Sequence, residues 1–145
     1  MNVSEELIRT IVEQVIRETC KGETAMERQV DPSGVIGVKT SSVTLDSFDG
    51  RDDVLLKDVL SLEEAPRMGC GVMELNDGAD FEWTLTYDEY DIILEGELEI
   101  VIDGRVVRGG PGDIIYIPKN THIHFRTPRH TKYVYTVFPA DWSNT

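Results

Sequence analysis

The chain is short of positive charge. Its 145 residues carry 14 Lys and Arg against 27 Asp and Glu, a formal net charge of -13 at pH 7. Such a surface repels phosphate backbones and anionic membranes at long range, and the few cations are too scattered to form a local patch. Nucleic acid and membrane surfaces are therefore excluded as partners. No apolar run is long enough to span a bilayer. Cysteine is scarce as well: Cys20 and Cys70 lie far apart without metal-type spacing, and a cytoplasmic protein with reduced thiols is the simplest account. Near the start, Glu5 and Glu6 stand where a secretory signal would place Lys or Arg. What remains is an ordinary hydrophobic content of 40%, enough at this length for one core.

The first segment has the cleanest helical period. Leu7, Ile8, Ile11, Val12, Val15 and Ile16 recur at steps of three and four, which places them on one stripe of a helix over residues 1–20, with Ser4 as its N-cap. Residues 21–34 are polar, contain Gly22, Pro32 and Gly34, and read as a linker. From residue 35 to 145 the pattern changes to short β-prone runs separated by turn residues, and Asp103-Gly104 between two such runs predicts a hairpin. Many short strands and no second helix predict an antiparallel sandwich or barrel.

Two spacings sharpen this. Glu89 stands seven positions before Gly96, Gly112 stands six before Pro118, and 15 residues lie between the two segments. These spacings resemble the paired motifs of the cupin family, G-x5-HxH-x4-E-x6-G and G-x5-PxG-x2-H-x3-N. The resemblance implies an all-β fold, the cupin double-stranded β-helix or jelly-roll barrel, preceded here by the short amphipathic helix. It also implies which residues face the interior. Counting from Glu89 places the two motif histidines at Glu82 and Thr84, and the second motif's histidine at Ile123, with His122 and His124 turned to the opposite face by strand alternation. Asn120 takes the place of a glycine. With no histidine left at a motif position, no metal and no tightly bound cofactor are expected.

The run Phe81-Glu82-Trp83-Thr84-Leu85-Thr86-Tyr87-Asp88-Glu89 resembles the EutQ family of ethanolamine-utilization proteins more narrowly. So do Pro32-Ser33-Gly34-Val35, Ile117-Pro118-Lys119, Ile123-His124-Phe125 and the closing Pro139-Ala140-Asp141-Trp142. The resemblance implies an accessory role in ethanolamine catabolism, association with a bacterial microcompartment, and acetate kinase activity with Mg accompanying ATP. A small carboxylate or nucleotide would be the ligand and a homodimer the assembly. The N-terminal stripe resembles the encapsulation peptides that bring cargo to microcompartment shells, which makes shell proteins its partners. The alternative is that the stripe packs on its own barrel or on a dimer mate. A non-enzymatic structural or small-ligand-binding cupin that aids shell and cargo assembly is the competing function.

On this reading Glu82 and Glu89 are the catalytic candidates, because carboxylates held together in a partly dry pocket raise each other's pKa and suit general-base or Mg-binding work. A pair of solvated acids at a barrel mouth is the alternative. Thr84, Thr86, Tyr87 and Tyr116 supply hydroxyls for a polar ligand or else pack, and His124 is a candidate contact that equally fits a surface position. Trp83 reads as a packing residue at a sheet or dimer interface. The glycine-rich run from Gly104 to Gly112 lacks the Lys-Ser/Thr ending of a phosphate loop and reads as hairpin turns.

Overall fold

The structure, a computed structural model, describes residues 26–144. The expected helix and its stripe from Leu7 to Ile16 lie outside the described residues. The chain divides into two compact units, residues 1–44 and 45–145.

In the first unit, β1 (Arg28–Val30) pairs antiparallel with β2 (Ile36–Val38). β1 falls inside residues 21–34, which the sequence pattern reads as a linker. The reversal is built by Asp31, whose Oδ2 accepts the Ser33 backbone N–H at 2.9 Å, and by Gly34 at φ +97°. A three-residue strand is too short to show a period, so pairing supplies what the sequence pattern lacks.

The second unit is all β. Its strands are β3 (Asp46–Phe48), β4 (Arg51–Asp58), β5 (Gly69–Leu75), β6 (Asp80–Leu85), β7 (Asp88–Gly96), β8 (Leu98–Ile102), β9 (Arg105–Gly109), β10 (Ile114–Ile117), β11 (Thr121–Arg126) and β12 (Thr131–Phe138). A six-stranded sheet runs β10-β7-β12-β5-β4-β3, and a four-stranded sheet runs β6-β11-β8-β9. Every pairing is antiparallel. The expected jelly-roll architecture is therefore the one observed.

Alternation decides which side chains meet between the sheets. From the larger sheet come Leu75, Ile93, Ile117 and Tyr133; from the smaller, Phe81, Leu85, Ile100, Ile123 and Phe125, all buried. Each such side chain contributes about 1.5–3 kcal/mol when removed from water. Turns fall where the residues permit them. Asp103 and Gly104 both take positive φ between β8 and β9, as the hairpin reading requires, and Asn120 stands at φ +66° in the glycine position of the second motif. Gly96 leaves no choice: at φ +69° an added Cβ would lie 1.8 Å from the His130 carbonyl oxygen.

On the outer face of the smaller sheet Glu99 is covered by two guanidinium groups. Its carboxylate accepts from Arg126 Nε at 3.0 Å and Arg108 Nε at 2.9 Å. The Arg126 hydrogen bond, then that of Arg108, hold the carboxyl below its ordinary pKa.

Candidate functional site

On β7, residues 89, 91 and 93 face inward together, because successive side chains on a strand alternate. Two of the three are acids. Glu89 is 5% exposed and Asp91 fully buried. The sheet register places Glu89 between Ile117 of β10 and Val137 of β12, and Asp91 between Ile115 and Tyr135. Both carboxyls are thus flanked mostly by hydrocarbon.

Burial raises Glu89 from 4.5 to about 7. Asp91 is pushed up further still, by burial first and then by the charge of Glu89. Among the described residues neither Asp91 oxygen has a hydrogen-bond partner, so the ionised form is uncompensated and burial favours the neutral acid. Burial and the neighbouring acid thus favour the protonated form of both carboxyls, Asp91 the more strongly. Two more hydroxyl groups stand close by. Burial raises the Tyr133 and Tyr135 phenols above their ordinary pKa. Tyr135 donates to Asp58 of β4, and Gly71 of β5 makes room for it, since a Cβ there would lie 2.1 Å from the Tyr135 hydroxyl oxygen.

Above Glu89 lies a small pocket rimmed by aromatic rings, among them Phe48, Phe81, Trp83, Tyr87 and Trp142. The rings hold one another: Trp83 stacks on Phe81 at 5.5 Å and meets Trp142 edge-on at 6.1 Å. Trp83 Nε1 donates to the Tyr87 hydroxyl at 2.8 Å. The free volume is about 30 Å³, room for about two waters. Among the described residues that line it, Glu89 is the one carboxylic acid and none is basic.

Several sequence expectations change. Glu82 and Thr84 do not face the interior. They lie exposed on the outer side of β6, because the inward positions are taken by Phe81, Trp83 and Leu85. The strand period is two, so the motif count is displaced by one residue, and that slip exchanges the faces of every side chain. The register that buries the aromatic rings prevails over the one that would bury Glu82 and Thr84. Glu82 and Glu89 are therefore not brought together. Tyr116 is exposed on the outer face of β10, against Tyr90 and donating to Asp88 Oδ1 at 3.3 Å. Thr86 is exposed in the turn after β6. His124 lies on the outer face of β11 with its Nδ1 2.6 Å from Asp80 Oδ1, while Ile123 beside it is fully buried. Tyr87 and Glu89 remain of the expected residues lining the pocket. Trp83, read as an interface residue, is part of the pocket wall. Asp91 was missed, although its place two residues beyond Glu89 on one strand was the signal for it.

The inward positions do not suit the metal that the fold family carries there. They offer Phe81, Trp83, Leu85 and Ile123 around two buried carboxyls that favour their neutral form, with no imidazole among the described residues that face inward. The two packed antiparallel sheets, the paired motif spacings and a site at the mouth between the sheets define a cupin in which carboxyls and aromatic rings stand where metal ligands otherwise do.

The similarities to known proteins carry this further. Residues 3–144 match the family described as ethanolamine utilisation protein EutQ, and the chain belongs to that family. It is 40% identical over 152 residues to a Clostridioides difficile protein named acetate kinase EutQ, with 99% of this chain and 96% of that protein covered. A Salmonella typhimurium protein of the same name is 35% identical, and there the chain spans 64% of the relative's length. The solved structure of the Clostridium difficile EutQ protein superposes with a TM-score of 0.75 at 41% identity, over 81% of this chain and 97% of that one. A polyketide cyclase from Streptomyces resistomycificus, 18% identical with a TM-score of 0.63 over 72% of this chain and 78% of its own, shares the fold alone.

Proposed function

We propose that this protein is an accessory enzyme of ethanolamine utilisation with acetate kinase-type activity, handling its small carboxylate at the Glu89–Asp91 pair. What supports the reading is a protonated carboxyl pair under an aromatic rim, together with the name carried by the relatives at 35–40% identity. In the reaction an acetate oxygen attacks the γ-phosphorus of ATP, the bond from that phosphorus to the bridging oxygen breaks, and ADP leaves with the electron pair. No net proton moves in forming acetyl phosphate, so the pair has no need to act as a general base. Its task is binding. An ionised Glu89 repels a carboxylate in a site of low dielectric, whereas a protonated Glu89 donates to one, with Asp91 behind it outside the pocket lining.

Trp142, on the short 3-10 turn at 142–144, stands on the rim outside the strands. The nucleotide lies outside the barrel mouth with its Mg²⁺. Residues 1–20 serve as the address to a microcompartment shell, and two copies pair through the outer face of the larger sheet, where Tyr90, Ile114, Tyr116 and Phe138 are exposed.

The test is ATP formation from acetyl phosphate and ADP as a function of pH. Wild type is expected to lose activity as pH rises through about 7, Glu89→Gln to lose that dependence, and Glu89→Leu to be inactive. A second reading, a non-enzymatic small-ligand-binding or structural cupin, is favoured by the roughly 30 Å³ volume and by a pocket lining that holds no Lys or Arg. Activity that is absent, or indifferent to both Glu89 variants, would select it.

A further inference from the structure

The residues that the motif count placed inside the barrel meet two histidines on its outside. On the outer face of the smaller sheet, His124 of β11 is the register partner of Glu82 on β6, and His122 is the partner of Thr84. One ligand atom from each of Glu82, His122 and His124 lies within 4.8 Å of the other two. We propose that these three side chains form a site for a borderline divalent metal ion of the Zn²⁺ class, on the face of the strands opposite to the barrel pocket.

Three observations support it. The first is placement. His122 and His124 stand two residues apart on one face of a strand paired on both sides, by β6 and by β8, so the backbone fixes their spacing, as rigid elements do for metal sites. The second is orientation. His124 is held through Nδ1 by Asp80 Oδ1 at 2.6 Å, and His122 through Nδ1 by the Thr84 hydroxyl. In both rings Nε2 is the nitrogen left for a metal, and a carboxylate behind a ligating imidazole fixes the tautomer and raises ligand basicity. His122 Nε2 already faces Glu82 Oε1 at 2.7 Å. Bonds of about 2.0–2.2 Å to a shared ion need only a small parting of these two groups.

The third is chemistry. Two imidazoles and one carboxylate suit Zn²⁺, Cu²⁺ or Ni²⁺, where Mg²⁺ and Ca²⁺ take oxygen donors. Glu82 and His122 are more than half exposed, so water completes the coordination and the ion enters freely. Asp80 and the chain's net charge of -13 draw cations to this face. A second cluster, Glu74, Glu95 and His130, has a single imidazole and two carboxylates, and serves as an internal comparison.

The experiment is a calorimetric titration of the full chain with ZnCl₂ alone, repeated with MgCl₂. Wild type is expected to bind one Zn²⁺ at micromolar concentration or tighter and Mg²⁺ far more weakly. His122→Ala and His124→Ala should each weaken Zn²⁺ binding by tenfold or more, Asp80→Asn by about tenfold, and His130→Ala should leave it unchanged. Absence of stoichiometric Zn²⁺ binding overturns the proposal, as does binding that survives intact in the His122→Ala/His124→Ala double variant. Matching circular dichroism spectra of wild type and variants separate lost ligands from lost folding.

Discussion

Replacing Glu89 with Gln keeps the shape of the side chain and removes its titration, so the stability difference between wild type and variant should change with pH. Folded Glu89 titrates at about 7, against 4.5 for the free side chain. The folded state therefore holds the proton more tightly than the unfolded chain does. The resulting stabilisation is complete below pH 4.5 and is lost as pH rises through 7. At 1.36 kcal/mol per pH unit the full loss is on the order of 3 kcal/mol, most of it between pH 5 and pH 8. With a urea slope of about 1–3 kcal/mol per molar, the midpoint of wild type should fall relative to Glu89→Gln by roughly 1–2.5 M over that interval. Carboxyls away from the pair, Glu99 among them, titrate in both proteins and cancel in the comparison. Urea unfolding of both proteins at the two pH values is the assay. Parallel pH dependences would refute the assignment of a neutral-range carboxyl to the barrel.

Two other perturbations have calculable outcomes. Gly71→Ala places a methyl group 2.1 Å from the Tyr135 hydroxyl and 2.6 Å from the Lys57 carbonyl; it should cost about 1–3 kcal/mol of stability, whereas Gly37→Ala, with nothing within 4 Å, should stay within about 0.5 kcal/mol. Equal urea midpoints for these two variants would contradict the packing described. Glu99→Gln should destabilise by about 2 kcal/mol at neutral pH by weakening two charge-assisted hydrogen bonds. Since the folded pKa of Glu99 lies below its ordinary value, that difference should disappear as pH falls through the depressed pKa, and acid titration of both proteins by circular dichroism checks it.

Much of the fold was legible because its signals are local. The spacing from Glu89 to Gly96 and from Gly112 to Pro118, the Asp103-Gly104 pair and Asn120 each reflect backbone demands within a few residues. The faces of β6 were legible too, but in a different signal from the one the motif count uses. The alternation Phe81, Trp83, Leu85 marks the inward side, and a count across the turn after β6 loses it when that turn differs by one residue. Asp91 ran against the expectation that acids lie outside, although strand alternation tied it to Glu89. Tyr133 and Tyr135 come from β12, more than forty residues from Glu89, and Gly71 from β5. Their meeting at the pair depends on sheet order, which no local pattern encodes.

The chain has two tryptophans, Trp83 and Trp142, and both stand on the rim of the same pocket. Tryptophan fluorescence from this protein therefore originates at the pocket mouth. Emission maximum, quenching by acrylamide and energy exchange between the two indoles all report on the barrel entrance, without any label. A molecule that enters, or that pushes Trp142 aside, announces itself in the spectrum of the unmodified protein, so candidate ligands can be screened before any reaction is known.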